Sequence, residues 1–323
     1  MKAVVYCEYG SPEVVRLADV EKPVPGDDQV LIRVRAAAVN PLDWHYMRGK
    51  PYVGRLGMGL RKPKNTHLGV DYAGVVEAVG KNVTGFKPGD EVFGGRNGAF
   101  AQYVAARADR AIVHKPANLT FEQAAAIPVA GITALQALRD QGGIRPGQKV
   151  LVNGASGGVG TFAVQIAKSY GAEVTGVCST RNVDLVRSIG ADRVIDYTKE
   201  DFTKSAERYD LVIDNVGNHP LSALRDVLTP SGRYVMVGGR SGAWIDPFPR
   251  VARAALMSRF GNHDMRFFMA QMNVKDLGVL RDLAAAGKLT PVVDRRYPLS
   301  EVRAAIAYLE TGRARGKVVV TME

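Results

Sequence analysis

The sequence predicts an α/β protein with a β-rich first third followed by a doubly wound parallel sheet. Two patterns and one motif carry that reading. Up to His114, short β-prone runs are broken by turn signals such as Gly10-Ser11-Pro12, Lys87-Pro88-Gly89 and Arg96-Asn97-Gly98, the punctuation of a folded-over barrel rather than of long strands. From Lys149 on, apolar strand-like runs alternate with segments of helical period, as a parallel sheet with crossover helices requires. At the first strand-to-helix passage stands Lys149 to Gly160, KVLVNGASGGVG. Strand, glycine turn and helix in that order build a cradle of backbone N–H groups for a phosphate at a helix N-terminus.

The elements follow along the chain. Strands are expected at Ala3–Tyr6, Val14–Ala18, Val30–Ala37, Val70–Val79, Asp90–Phe93, Phe100–Ala105 and Ala111–His114. Thr120-x-x-Gln123 reads as a capping box for an alanine-rich helix from Phe121 to Arg139, interrupted at Pro128 and Gly131. Strands at 149–153, 173–178, 193–196, 209–214 and 233–237 then alternate with helices at 158–170, 182–189 and 219–228. An aromatic stretch through Trp244, Phe248, Phe260, Phe267 and Phe268 suits a pocket lining or lid, and equally core packing or a dimer contact. A helix at Val274–Ala286, an extended segment at 291–297, a helix at Ser300–Thr311 and a strand at Lys317–Thr321 close the chain. Domain boundaries are expected at 1–121, 122–260 and 261–323.

Composition excludes several classes. A chain of 323 residues, 46% hydrophobic and 23% charged, suffices for two globular domains with substantial cores. No apolar run approaches the roughly 18 residues that span a bilayer, and MKAVVYCEYG lacks a signal-peptide core. A cytoplasmic protein with no membrane partner is the expectation. Cys7 and Cys178 alone supply neither a disulfide framework nor a zinc lobe. The net charge of +11 is spread along the chain, with knots at Arg61-Lys62-Pro63-Lys64, Arg295-Arg296 and Arg313 to Lys317. No nucleic-acid-binding motif accompanies it, so an anionic cofactor and a solvated basic surface account for it better.

In the glycine turn, Gly154, Gly157 and Gly160 remove a Cβ where the chain tightens, where a pyrophosphate approaches and where helix meets strand. Ser156, Gly158 and Val159 complete the cradle. The second strand of the parallel sheet ends in Cys178-Ser179-Thr180-Arg181, without the carboxylate that an NAD ribose requires. Ser179, Thr180 and Arg181 instead suit the 2′-phosphate of NADPH. A charge-assisted bond of about 1.5–3 kcal/mol from Arg181 would favour NADPH roughly ten- to a hundredfold.

Several stretches together resemble the zinc-independent medium-chain dehydrogenase/reductase superfamily, in its quinone oxidoreductase-like, zeta-crystallin-like branch. They are AAAVNPLDW (36–44), LGVDYAGVVEAVG (68–80), FKPGDEVFG (86–94), AAAIPVAGITALQAL (124–138), NGASGGVG (153–160), GADRVIDY (190–197), DNVG (214–217) and RGKVVV (315–320). The resemblance implies a GroES-like catalytic domain, a Rossmann domain and a C-terminal return to the catalytic domain. It also implies a homodimer. Where zinc-dependent members place a ligating cysteine this chain has Asn40, and where they carry glycine-histidine-glutamate it has Gly69-Val70-Asp71. No metal is therefore expected. Tyr46-x-x-x-Lys50 also spells the short-chain dehydrogenase pair, but it precedes the glycine turn instead of following it, so that match is set aside.

By the same resemblance, Asn40 and Asp43 face the nicotinamide, Asn40 donating to a carbonyl or amide and Asp43 orienting its neighbours. His45 or Tyr46 stands where a general acid is expected, with the register open by one residue. Thr133 is expected beside the nicotinamide, Tyr197 at the 2′-phosphate, and Lys317 reaching the cofactor. Asn215, Val216, Val237, Gly238 and Gly239 end the fourth and fifth strands of the sheet, where backbone groups meet ribose and carboxamide. Tyr52 is a candidate pocket wall. The implied reaction is hydride transfer from NADPH to a quinone or an α,β-unsaturated carbonyl, which accepts hydride without a Lewis acid by delocalising charge. An NAD(P)-dependent alcohol dehydrogenase or carbonyl reductase, and a redox-inactive NADPH-binding protein, are the alternatives.

Overall fold

The computed structural model describes residues 1–238, 248–260 and 264–322. It divides into two units, Met1–Ile132 with Gln271–Glu323, and Thr133–Ala270. The divisions fall beyond the expected 121 and 260. The helix Phe121–Ala125 packs on strands Gln29–Val39 and Asp71–Val79 of the first unit, and the Val129 N–H donates to Asp71.

In the first unit, strand Gln29–Val39 pairs antiparallel along one edge with Asp71–Val79, while Tyr103–Arg107 and Lys317–Thr321 share its other edge. The sheet runs on through Glu91–Gly95 to Ile112–His114, and on its far side to Val293–Pro298. Alternating residues Val30, Ile32 and Val34 enter a core with Tyr72, Val76 and Phe100, and the helix Val302–Glu310 adds Ile306 to it. Each such fully buried side chain contributes about 1.5–3 kcal/mol. Register decides where the chemistry lies. Val39 pairs Val318 and Ala38 pairs Asp71, so Asn40, Lys317 and Asp71 meet at one end of three adjacent strands.

Four elements differ from expectation or were not foreseen. The strand sought at Val14–Ala18 is a 3-10 turn, Pro12–Val14, followed by Arg16–Asp19, and the strand sought at Phe100–Ala105 is Tyr103–Arg107. The long alanine-rich helix splits into Phe121–Ala125, Pro128–Gln136 and a π turn at Ala137–Gln141, with the Thr120/Gln123 capping box formed. Residues Pro41–Arg48, for which the sequence suggested no regular element, form a helix. Pro41 opens it with a preset φ, Asp43 accepts the Asn40 N–H at 2.7 Å, and Gly49 ends it at φ 57°.

The second unit is a six-stranded parallel sheet in the order Arg193–Asp196, Glu173–Cys178, Lys149–Asn153, Tyr209–Asp214, Leu228–Met236, Asp264–Phe267. Helices Gly158–Ser169, Val183–Ser188 and Leu221–Asp226 make crossovers. Strand order reverses between Lys149–Asn153 and Tyr209–Asp214, and open parallel sheets take their ligands at such a switch point, outside the carboxyl ends of the strands. Among the described residues, no helix is long and apolar enough to cross a membrane.

Candidate functional site

The first unit holds a closed polar lattice. Asn40, Asp43, Asp71 and Lys317 are each at most 3% exposed. Lys317 Nζ donates to Asn40 Oδ1 at 2.5 Å and to Asp71 Oδ2 at 3.3 Å. Asn40 Nδ2 donates to Asp71 Oδ2 at 2.9 Å and to the Ala38 carbonyl at 3.3 Å, and Asp71 Oδ1 accepts the Val129 N–H at 3.0 Å. Both Asn40 amide hydrogens are therefore spent inside the protein, and its oxygen faces an ammonium. Its role here is to be held and to hold. Lys317, expected to reach the cofactor, has its ammonium against these two partners. Asp71, which gathers both, is the residue the sequence reading missed. The available signal was an acid at the start of a strand in an apolar run, which needs a buried cation.

Asp43 ties two segments together, accepting Asn40 N–H on Oδ2 at 2.7 Å and Gly69 N–H on Oδ1 at 3.1 Å. Burial pushes its carboxyl up to about 7, helped by the Asp71 charge and opposed by the two N–H donors and Lys317. Asp71 is also held above the ordinary range by burial, with Lys317 and Asn40 pulling it back. Because Asp43's folded-state pKa lies above its unfolded value, its contribution to stability is full below the ordinary carboxylate range and is lost as pH rises through 7. Denaturant titrations across that window should show stability falling by up to about 1.4 kcal/mol per pH unit. Asp43→Asn should lower stability throughout, since an NH₂ then meets a backbone N–H, and should remove most of the slope. An unchanged slope would assign the titration elsewhere.

On the Pro41–Arg48 helix, His45 and Tyr46 differ in what they can do. His45 Nδ1 lies 2.9 Å from the Lys50 carbonyl and must carry the hydrogen there, leaving Nε2 as an acceptor. Burial lowers its pKa, so the ring is neutral, and it stacks on Trp44 at 3.7 Å. Tyr46 is half-buried, and burial with the nearby Asp43 holds its phenol above the ordinary value. It therefore keeps a transferable proton at neutral pH. Tyr52 is half-buried with the Arg55 guanidinium 4.8 Å from its ring centre.

In the second unit the glycine turn is built as a cradle. Gly154 sits at φ 78°, and a Cβ on Gly160 would stand 2.1 Å from the Gly154 carbonyl oxygen, so the helix Gly158–Ser169 rests directly on the turn. Gly157 is its N-cap, and the N–H groups of Gly158, Val159 and Gly160 have no partner within the helix. Ser156 Oγ accepts from Asn182 Nδ2 at 2.9 Å. The Asn182 and Asn215 side-chain oxygens are buried with no hydrogen-bond partner among the described residues. Thr133 opens this unit on the helix Pro128–Gln136.

At the end of Glu173–Cys178, Thr180 and Arg181 are exposed and Ser179 is half-exposed, with exposed Tyr197 on the adjoining chain. Thr180 Oγ1 donates to Asp196 at 2.6 Å, so its proton is not available to an anion while that bond holds. Asp196 is kept below the usual carboxylate range by Thr180 and Thr198. Arg181, exposed at this strand end, is the candidate cation for a 2′-phosphate. Arg181→Ala should cut the NADPH-over-NADH ratio of kcat/KM roughly ten- to a hundredfold, and an unchanged ratio would refute the assignment.

The switch point itself is organised by Asp214. This fully buried carboxylate accepts Asn153 Nδ2 at 2.9 Å, the Val216 and Gly217 N–H groups at 3.1 and 2.9 Å, and the Tyr234 hydroxyl at 2.8 Å. Arg250 pairs with it at 3.7 Å. Asn215 and Val216 are thereby set at the strand end. Val237 and Gly238 N–H groups donate to the Asp214 carbonyl, and a Cβ on Gly238 would meet the Asn215 carbonyl at 2.3 Å. Gly239 and Trp244 lie outside the described residues, while Phe267 packs partly buried on the sheet's core.

Comparison with known proteins agrees with both halves. The family model for an alcohol dehydrogenase GroES-like domain matches residues 26–117, and that for a zinc-binding dehydrogenase matches residues 189–320. The 2-methylene-furan-3-one reductase of Solanum lycopersicum is 37% identical, over 99% of this chain and 79% of the relative. The chain belongs to the medium-chain dehydrogenase/reductase family. Within it, the quinone oxidoreductase of Coxiella burnetii superposes with a TM-score of 0.86 at 33% identity, covering 100% of this chain and 99% of the other. The Escherichia coli quinone oxidoreductase solved with NADPH gives 0.84 at 25%, covering 99% and 100%. The GroES-like and Rossmann architecture expected from the sequence is thus that of the family.

The family name raises zinc, and the donors here do not fit it. Asn40 Oδ1 and Asp71 Oδ2 already face the Lys317 ammonium. No group of three His, Cys, Asp or Glu among the described residues could hold a metal. The nicotinamide dinucleotide fits better. At Gly154 and Gly160 the turn leaves no room for a side chain, and it leads into a helix N-terminus whose first N–H groups suit a phosphate.

Proposed function

We propose that this protein is an NADPH-dependent, zinc-independent reductase that delivers hydride to a quinone or to the β-carbon of an α,β-unsaturated carbonyl. The observation that carries it is the pairing of a phosphate cradle in one unit with a buried cluster in the other whose would-be metal positions hold an amide and a lysine-bound carboxylate. Relatives named as a methylene-furanone reductase and as quinone oxidoreductases support the substrate class, and the solved NADPH complex of one of them supports the cofactor.

Bound NADPH would supply the hydride. The chain's own residues do the rest. The Gly158–Gly160 N–H groups receive the pyrophosphate, and Arg181 the 2′-phosphate. The Asp214-held turn presents Asn215 and Val216 to the ribose side. Asn40, Asp43, Asp71 and Lys317 act as a rigid support for the Pro41–Arg48 helix rather than as reactants. Tyr46 returns a proton to the enolate; His45, with its hydrogen committed to Lys50, does not. Tyr46→Phe should lower kcat on an enone about a hundredfold with little change in the KM for NADPH, whereas His45→Gln should stay within a few-fold. Equal, small losses for both would leave solvent as the donor.

A homodimer, joined through the edge strand Asp264–Phe267 of the parallel sheet, accompanies this reading and is checked by light scattering. Cysteines 7 and 178, both free thiols, favour a reducing, cytoplasmic compartment; fractionation of expressing cells tests it.

A further inference from the structure

The segment that follows the Pro41–Arg48 helix is built in an unusual way. Between Trp44 and Val70 the chain carries Arg48, Lys50, Arg55, Arg61, Lys62 and Lys64 and no acidic residue. Within this basic stretch, aliphatic side chains stand in solvent: Leu56 is 72% exposed, Leu60 66% and Val53 38%. They are not on a loose thread. The Gly59 N–H donates to the Arg55 carbonyl and the Lys64 N–H to the Met58 carbonyl, both at 2.8 Å, closing a short loop over buried Pro63. The Tyr9 hydroxyl pins the Gly59 carbonyl at 2.7 Å. Arg55 is itself an anchor, donating to the Gly49 carbonyl at 2.9 Å with its guanidinium 4.2 Å from the Tyr9 ring centre. Arg48 is paired with Glu310. Arg61, Lys62 and Lys64 are exposed and have no ion pair among the described residues.

We propose that this anchored loop, with Leu56 and Leu60 at its projecting positions and Arg61, Lys62 and Lys64 around them, is a docking surface for an anionic lipid bilayer. Aliphatic tips beside basic residues are the pattern of interfacial membrane contact: the leucines enter the acyl boundary while lysine and arginine stems reach the headgroups. Three such cations near an anionic surface raise binding roughly a hundredfold. A second copy of the chain is a poor occupant, because a two-fold contact would set this patch against itself, cation against cation. The sequence expectation of no membrane partner rested on the lack of a spanning segment, which does not bear on peripheral contact. The bilayer contact stands independently of the reductase reading. Its use rests on that reading: docking would bring the enzyme to quinones and alkenals dissolved in lipid.

Co-sedimentation of the full chain with vesicles tests the proposal. Vesicles of phosphatidylcholine mixed with phosphatidylglycerol should bind the protein, and pure phosphatidylcholine should bind it at least tenfold more weakly. Leu56→Ser with Leu60→Ser, which leaves the charge unchanged, should weaken binding at least fivefold. Arg61→Glu, Lys62→Glu and Lys64→Glu together should abolish it. Lys204→Glu, Arg208→Glu and Arg225→Glu, on the second unit, make the same change of net charge and should retain most of the binding. Circular dichroism confirms that each variant is folded. Equal loss in the two charge triples would mean a net-charge effect and overturn the proposal, as would a leucine pair with no effect. Loop-dependent binding to polyglutamate without vesicle binding would assign the face to an acidic protein and overturn it too. NADPH turnover of a water-soluble enone by the loop variants, measured alongside, separates failure of docking from failure of the reductase reading.

Discussion

Lys317→Met is expected to destabilise the first unit by about 3–5 kcal/mol, because it breaks a buried ion pair from one side only. Methionine fills the space of the lysine stem, but among the described residues the Asp71 carboxylate would keep only Asn40 Nδ2 and the Val129 N–H as donors. Asn40 Oδ1 would lose the ammonium that faces it at 2.5 Å. Urea denaturation should show the midpoint falling with little change in slope. Adding Asp71→Asn to Lys317→Met should recover part of the loss, since the uncompensated charge is then gone. Activity should fall with Lys317→Met even where the protein remains folded, as the amide at the head of the Pro41–Arg48 helix loses an anchor. A cost below about 1 kcal/mol would mean that the ammonium is solvated rather than buried, and the lattice would need another description.

Gly160→Ala is the second large effect. The new Cβ would stand 2.1 Å from the Gly154 carbonyl oxygen and 2.8 Å from Ala155 Cα, both backbone atoms that cannot swing aside. The helix Gly158–Ser169 must lift from the turn, at an overpacking cost of about 1–3 kcal/mol. Its N–H groups then leave the positions that meet a pyrophosphate. The KM for NADPH should rise at least tenfold, more than kcat falls. Gly278→Ala is the matched control. Nothing lies within 4 Å of its added Cβ, so within the helix Val274–Ala285 it should stabilise by up to about 1 kcal/mol. If the two alanines behaved alike, the contact between turn and helix would not be what fixes the cradle.

Much of this was legible in the chain, and for identifiable reasons. Strands at 173–178, 193–196 and 209–214 are bounded where their apolar runs are bounded, because buried parallel strands read as continuous hydrophobic runs. The glycine spacing at 154, 157 and 160 reports steric demand directly, which is why it could be read without coordinates. The Pro41–Arg48 helix was missed although Asn40, Pro41 and Asp43 spell its start, since a short polar helix has little apolar periodicity to announce it. Asp71 and Lys317 are 246 residues apart in sequence. Only strand register brings them together, and no local pattern states register. The spent hydrogens of Asn40 and Thr180 are equally invisible in sequence. Composition shows which groups can donate, and packing decides where the donors go.

The most direct test of the central claim is loss of NADPH absorbance with the purified protein against quinones, 2-alkenals, cyclic enones and simple ketones. NADH in place of NADPH and a chelator serve as controls. Turnover of the conjugated substrates with NADPH, unaffected by the chelator and far above that on simple ketones, is the predicted result. Chelator-sensitive reduction of simple ketones, or tight NADPH binding with no turnover on any conjugated substrate, would contradict it.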